Sequence, residues 1–199
     1  TITFPFDTWA VERVEVLKGP ASVLYGVGGI AGAYNVVTKY PSAEFGGELR
    51  VSAGEDGERY YGLGLTGALS DSVNARIDYS DGTSDNWVNN GSSDTQMLAI
   101  ALEWQATDDL TLTFRYDAGD QSPLRYFGVP IVGNDFDDTL VDLNLSVGDT
   151  NINYDDEITR LIADWSVTES LNINVELFSL ETDRFWQTVE TYSYNTTTG

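Results

Sequence analysis

The stretch Asp109-Leu110-Thr111-Leu112-Thr113-Phe114-Arg115-Tyr116-Asp117 alternates without a break: Leu110, Leu112, Phe114 and Tyr116 on one side, Thr111, Thr113, Arg115 and Asp117 on the other. Strict period two over this length is the pattern of a strand with two unlike faces. Working outward, Val73, Ala75, Ile77 and Tyr79 alternate with Asn74, Arg76 and Asp78, and Leu98, Ile100, Leu102 and Trp104 oppose Ala99, Ala101 and Glu103. Weaker copies occur at Glu48–Gly54, Tyr60–Leu69, Glu157–Trp165 and Leu171–Leu177. The pattern predicts seven strands, each about 8–11 residues long, and no helix.

The connections sort by length. Ser70-Asp71, Thr107-Asp108 and Thr168-Glu169-Ser170 read as tight turns, whereas Asp81–Asp94 and the stretch from Gly119 to Asp156 are long. Only Glu55–Glu58, on the long-link side, is short. A soluble sandwich has no reason to sort its loops by end, whereas an outer-membrane barrel has short periplasmic turns and long outer loops. The apolar faces also end in Tyr79, Trp104, Tyr116 and Trp165, as at a membrane interface. The fold class expected is all-β, a partial transmembrane antiparallel barrel, in which Val73, Ile77, Leu98, Leu102, Leu112 and Phe114 face lipid. Arg76, Glu103 and Arg115 then face the lumen. A soluble acidic β-domain that binds calcium or a surface partner is the alternative of another class.

Composition narrows the chemistry. The 199 residues carry 32 acids and 10 bases, a net charge of −22, with no His and no Cys. That excludes Ser-His-Asp and Cys catalysis and zinc held by nitrogen or sulfur. So acidic a chain repels a phosphate backbone, so no nucleic-acid partner is expected. Hydrophobic residues at 41% argue against disorder. Charge is divided at Pro41: residues 1–41 hold Asp7, Glu12 and Glu15 against Arg13, Lys18 and Lys39, and the rest carries the whole excess. Gly19–Thr38 is uncharged and as long as a membrane helix, but five glycines and Pro20 make it a turn-rich, close-packed segment instead.

The run Val11-Glu12-Arg13-Val14-Glu15-Val16-Leu17-Lys18-Gly19-Pro20-Ala21-Ser22-Val23-Leu24-Tyr25-Gly26, followed by Gly32, Asn35-Val36-Val37-Thr38-Lys39 and Pro41, resembles the end of the plug domain of TonB-dependent outer-membrane receptors. The Thr-Lys-x-Pro ending is most similar to the siderophore-receptor branch. Where that branch has two adjacent glycines before the Asn stretch, this chain has Gly32 followed by Ala33 and Tyr34. The resemblance implies two domains: residues 1–41 as the C-terminal part of a plug, and 42–199 as the N-terminal part of the barrel.

It also implies a role. Such a receptor sits in the outer membrane of a Gram-negative bacterium, in contact with its lipid, and is not an enzyme. It takes up a ferric siderophore, or else cobalamin, another metal chelate or a glycan. Energy comes from the TonB complex acting on plug regions outside this chain, and neither a cofactor nor a resident metal is called for. A barrel of roughly 22 strands needs its lumen filled, and seven strands cannot close, so an internal segment of a longer receptor is expected. The residues implied for the plug and its contact with the barrel are Glu12, Arg13, Glu15, Lys18, Gly19, Pro20, Gly26, Gly32, Asn35 and Lys39. For Arg13 and Lys18 two readings stand: the polar face of a plug strand, or partners of barrel-wall acids that hold the plug.

Other local motifs weigh less. Gly26-x-Gly28-Gly29-x-x-Gly32 has neither the spacing nor the βαβ setting of a dinucleotide loop. Asp135-x-Asp137-Asp138 lacks EF-hand spacing, so the acidic link reads as a solvated outer loop before a calcium site. Trp87, Tyr126 and Phe127 fall in the outer links, where aromatics either meet a ligand or pack loop on loop.

Overall fold

The computed structural model describes residues 7–19, 32–126, 128–129, 131–132, 135–136, 138–146, 148, 150 and 151–188. Pro20, Gly26 and Phe127 lie outside the described residues. A 3-10 turn, Thr8–Ala10, leads into a hairpin of β1 (Val11–Lys18) and β2 (Gly32–Thr38). The main sheet follows: β3 (Gly46–Ala53), β4 (Arg59–Ser70), β5 (Val73–Ser84), β6 (Ser93–Thr107) and β7 (Leu110–Ser122). Then come the short pair β8 (Ile131–Val132) and β9 (Asp135–Phe136), and finally β10 (Asn151–Thr168) and β11 (Leu171–Gln187). There is no α-helix among the described residues.

The seven long strands form one antiparallel sheet in which every strand pairs with its sequence neighbour in that sheet, β3 and β11 being the open edges. The three tight turns share one device. Ser70, Thr107 and Thr168 each accept, on the side-chain hydroxyl, the amide two residues on, from Ser72, Asp109 and Ser170. A register shift falls at the same place in each hairpin, so a bulge and a hydroxyl-capped turn close them alike.

Strand number and order follow the period-two reading, but the strands are longer than it predicts, reaching 18 residues in β10. At ~3.3 Å per residue that is about 60 Å, more than twice an apolar band of ~25 Å. The reason lies in the side chains above the band. Glu157, Asp155, Glu181 and Asp183 continue the outward row of β10 and β11, so the apolar alternation stops while the backbone ladder runs on. The long link correspondingly shrinks to residues 123–150.

The two faces of the sheet are inverted relative to a soluble protein. On β5, Arg76, Asp78 and Ser80 are buried while Ile77 and Tyr79 are exposed, and the largest fully buried side chains described are Asp78 and Ser80. Leu49 is 75% and Leu161 52% exposed. The register carries this across strands: Ile77, Ile100 and Tyr116 form one outward rung, Leu102 with Phe114 another, and Arg76, Ala101, Arg115 and Arg160 form an inward one. A sheet whose exposed face is apolar and whose buried face, on β5 and β7, is polar and charged has the polarity of a membrane-barrel wall. Val73, Leu98 and Leu112 belong to the outward set by register and Glu103 to the inward one.

Candidate functional site: the plug–wall junction

The inward face is a lattice of arginine–carboxylate pairs. Two residues apart on a strand means side by side on one face. Arg76 therefore clamps Asp78 through Nε and Nη2, both at 2.7 Å, and Arg115 clamps Asp117 at 2.8 and 2.6 Å. Ala99 and Ala101 of β6 lie between the two pairs in register and leave room for both guanidinium groups. Arg160 adds a third cation 3.6 Å from Asp117, and Asn74 donates to Glu103 at 3.1 Å. With each arginine held on two nitrogens, its remaining donors point at other targets. Arg76 reaches Glu48 at 2.9 Å, and Nη1 of Arg115 donates to the Lys39 carbonyl at 2.9 Å.

Lys39 is where the segment before Pro41 meets this lattice. Its Nζ donates to Glu48 at 2.8 Å and lies 4.6 Å from the centre of the Trp9 ring, a salt bridge and a cation–π contact on one ammonium group. Its amide donates to the Ala10 carbonyl at 2.9 Å. Trp9 packs on the small cluster of Ala10, Met97 and Ala99, and its ring meets that of Tyr60 in a T-shaped contact. It sits over Gly62, where an added Cβ would come within 2.8 Å of ring carbons. Asp7 caps the 3-10 turn through the Trp9 amide at 3.0 Å, and its other oxygen accepts from Tyr60 Oη at 2.8 Å and Ser80 Oγ at 2.5 Å.

The glycine seat carries a prediction. Gly62→Val should displace Trp9 and cost about 1–3 kcal/mol, as overpacking of a filled site does. Gly46→Ala, whose new Cβ would meet Thr66 Cγ2 at an ordinary 3.5 Å, should be near neutral. Tryptophan emission and thermal unfolding of the two variants distinguish them, and equal stabilities would mean that Trp9 is not held there.

Of the plug residues singled out by sequence, Lys39 lies at this junction, whereas the others described fall elsewhere. Arg13 pairs with Glu15 of its own strand at 2.8 Å, both exposed, and Asn35 donates to the same carboxylate at 2.9 Å. The Asn35 hydrogen bond, then that from Arg13, hold the Glu15 carboxyl below its usual range. Glu12 sits at the β1 bulge, and Lys18 lies opposite Gly32 at the far end of the hairpin, both exposed. Gly19 ends β1 with φ +99°, and a Cβ at Gly32 would stand 2.6 Å from the Leu17 carbonyl oxygen. The structure therefore pairs Arg13 within the hairpin, while Glu48, Asp78, Glu103 and Asp117 of the wall are engaged by Lys39, Arg76, Asn74 and Arg115. The hairpin is seated on the wall through its base; β1 is exposed on both faces from Glu12 onward, whereas β2 is exposed at Tyr34 and Val36 and half-buried elsewhere. Asp7, Trp9 and Gly62 belong to the junction without having been marked by sequence. The available signals were the Asp-x-Trp turn and the two inward glycines of β4, Gly62 and Gly64.

At the other end of the sheet the outer links pack together. Trp87 and Tyr126 meet edge to face at 5.0 Å, and the Asn89 amide donates to the Asp142 carbonyl at 2.9 Å. Asn144 Nδ2 and Ser146 Oγ both donate to the Arg125 carbonyl, at 3.0 and 3.2 Å. Below them the inward face holds an open groove of about 570 Å³ floored by Tyr60, Thr95 and Gln121, with Asp7 at its base. No group of acids suited to holding a metal occurs among the described residues.

A membrane-barrel wall carrying a docked inner segment defines the class: a plugged outer-membrane barrel protein. Residues 1–33 match the TonB-dependent Receptor Plug Domain family. The chain is 32% identical over 136 residues to a ferrioxamine B receptor of Salmonella typhimurium, covering 64% of this chain and 19% of that receptor. It is 33% identical over 147 residues to the metal-pseudopaline receptor CntO of Pseudomonas aeruginosa, covering 61% and 19%. Among solved structures, the ferric-catecholate import receptor Fiu of Escherichia coli superposes with TM-score 0.82 at 16% identity, covering 89% of this chain and 29% of that one. The pyoverdine receptor FpvA of Pseudomonas aeruginosa gives 0.79 at 20%, covering 92% and 28%. The plug-domain match, these receptors and these structures together support a segment of a TonB-dependent receptor of the Gram-negative outer membrane, and the chain spans about a fifth of the length of the curated relatives it matches.

Proposed function

We propose that the chain supplies the plug end, residues 1–41, and the first seven barrel strands, within 42–199, of a receptor that imports a ferric siderophore with energy from TonB. The observation that carries this reading is the junction itself. A plug segment is pinned by Asp7, Trp9 and Lys39 to a polar inner wall whose opposite face is apolar. That arrangement suits a gated passage. The relatives are receptors for ferrioxamine B, ferripyoverdine and metal-pseudopaline, and the last supports a metal chelate other than a ferric one as the second reading.

In this reading Glu12, Arg13, Glu15, Lys18, Asn35 and the hairpin glycines form the polar plug face, open to acids of later barrel strands. Trp87 and Tyr126 present half-exposed aromatic surface to the cargo from the outer links, with Phe127 next to Tyr126 in sequence. The test is uptake of 55Fe-ferrioxamine B by cells whose sole siderophore receptor is the full-length protein. Uptake should require TonB, and Trp87→Ala should raise the half-saturating concentration roughly tenfold, the effect of losing one aromatic anchor. Import of nickel– or zinc–pseudopaline with no ferric chelate taken up would favour the second reading. Binding that persists with no TonB-dependent import of either would refute both.

A further inference from the structure

Between the β6–β7 and β10–β11 hairpins the outward face is notched. Register puts Trp104, Leu112, Ala163 and Val175 on one outward rung, and Leu102, Phe114, Leu161 and Leu177 on the next. Of the first four, Ala163 alone ends at Cβ. Over it opens an apolar groove of about 320 Å³, walled by Trp104, Leu112, Leu161, Val175 and Leu177. One rung nearer the turns stand Leu110, Trp165 and Ile173. An indole there suits the level at which a membrane's apolar core gives way to headgroups.

Beyond the groove the charge has a single sign. The two turns below it carry Asp108, Asp109 and Glu169, all exposed, and no lysine or arginine occurs in 105–111 or 166–172. These three carboxylates have no ion-pair partner among the described residues. From Leu112 to Asp109 is about 10 Å of strand, or roughly 8 Å of depth at a tilt of about 40°. One headgroup layer is about 5–8 Å deep, so a chain in the groove places its headgroup at the acids.

We infer that this groove seats a phospholipid of the periplasmic leaflet whose headgroup carries a primary ammonium, with its acyl chain over Ala163 and its ammonium among Asp108, Asp109 and Glu169. An apolar seat alone takes any acyl chain, so the headgroup decides. A primary ammonium supplies the missing cation and, like lysine, three N–H donors. A quaternary ammonium brings charge without donors, and an anionic headgroup is repelled. The inference depends on the outward face meeting lipid and not on which cargo is carried.

The test is native mass spectrometry of the full-length receptor, released from detergent micelles holding equal amounts of phosphatidylethanolamine, phosphatidylcholine and phosphatidylglycerol with identical acyl chains. Phosphatidylethanolamine should be retained over phosphatidylglycerol by about fivefold or more, the effect of one charge at a membrane surface, with phosphatidylcholine between. Asp108→Asn, Asp109→Asn and Glu169→Gln together should bring the three lipids within about twofold of one another. Asp71→Asn, on the β4–β5 turn away from the groove, should leave the preference intact. Ala163→Phe fills the notch and should abolish the preference, and Ala163→Leu repeats that arm should the phenylalanine variant fail to assemble. Phosphatidylglycerol retained as well as phosphatidylethanolamine would overturn the proposal. So would a preference that survives either the three neutral substitutions or the filled notch, or one that Asp71→Asn removes as completely. Siderophore uptake enters none of these readings, so its absence counts against the transport reading alone.

Discussion

Asp78→Ala is expected to destabilise the folded receptor by about 3–5 kcal/mol, because it leaves a buried guanidinium without its partner. Asp78 is 1% exposed and takes two hydrogen bonds from Arg76 at 2.7 Å. The other partner of Arg76 is Glu48, a single contact at 2.9 Å on a half-exposed carboxylate shared with Lys39. It is too hydrated to take over. Removing both charges tells a different story: Arg76→Met with Asp78→Leu should recover most of the loss, since no uncompensated charge is then left inside. Urea unfolding of the receptor in lipid vesicles measures both. A loss below about 1 kcal/mol for Asp78→Ala would place the pair in the range of solvated ion pairs and the inner wall in open water.

Leu161→Arg is expected to cost about 2–4 kcal/mol in a bilayer, the penalty for a cation near the midplane of a barrel's lipid face. Leu161 lies midway between Trp165 and Glu157 on the outward row of β10, with Phe114 and Leu177 as its cross-strand neighbours. The neighbouring position turns the other way. Ile162 faces inward, opposite Glu176 and Thr113, so Ile162→Arg gains a carboxylate partner and should cost under about 1 kcal/mol. Thr113 is a poorer control, being itself 6% exposed in the packed lattice. Equal costs at 161 and 162 would contradict a membrane-facing outer row. The same series in detergent should shrink the difference, since a micelle lets the arginine reach water.

Seven strands, their order and their two faces were legible because each depends on neighbours within one strand or one turn. Period two assigns Ile77 and Arg76 to opposite faces whatever the rest of the chain does. A serine or threonine that caps its own turn, as Thr107 does for Asp109, needs no distant partner. The pairs Arg76-x-Asp78 and Arg115-x-Asp117 are local in the same sense, two residues apart on an alternating strand. Their burial was not local, since it depends on what lies against the inner face.

Where the strands end was less legible. Apolar alternation reports the membrane-facing stretch only, and β10 and β11 continue past it on backbone hydrogen bonds that any side chain permits. Counting apolar residues therefore measures the band and not the strand.

The plug's end could be recognised from residues 11–41 by resemblance, but its attachment could not. The resemblance marked Lys39 together with Arg13 and Lys18 and did not say which of them meets the wall, whereas the structure gives Arg13 to Glu15 and the wall to Lys39, Trp9 and Asp7. Asp7 finds Tyr60 and Ser80 across 53 and 73 positions of chain, and Arg115 finds Lys39 across 76. The sequence by itself determined an alternating wall with capped turns, because those follow from backbone geometry and side-chain polarity over a few residues. Which inward charge holds the plug was decided only in the tertiary structure. Cross-strand register and the side chains missing at Gly62 and Gly64 set the space into which Trp9 and Lys39 fit, and register is a property of the assembled sheet.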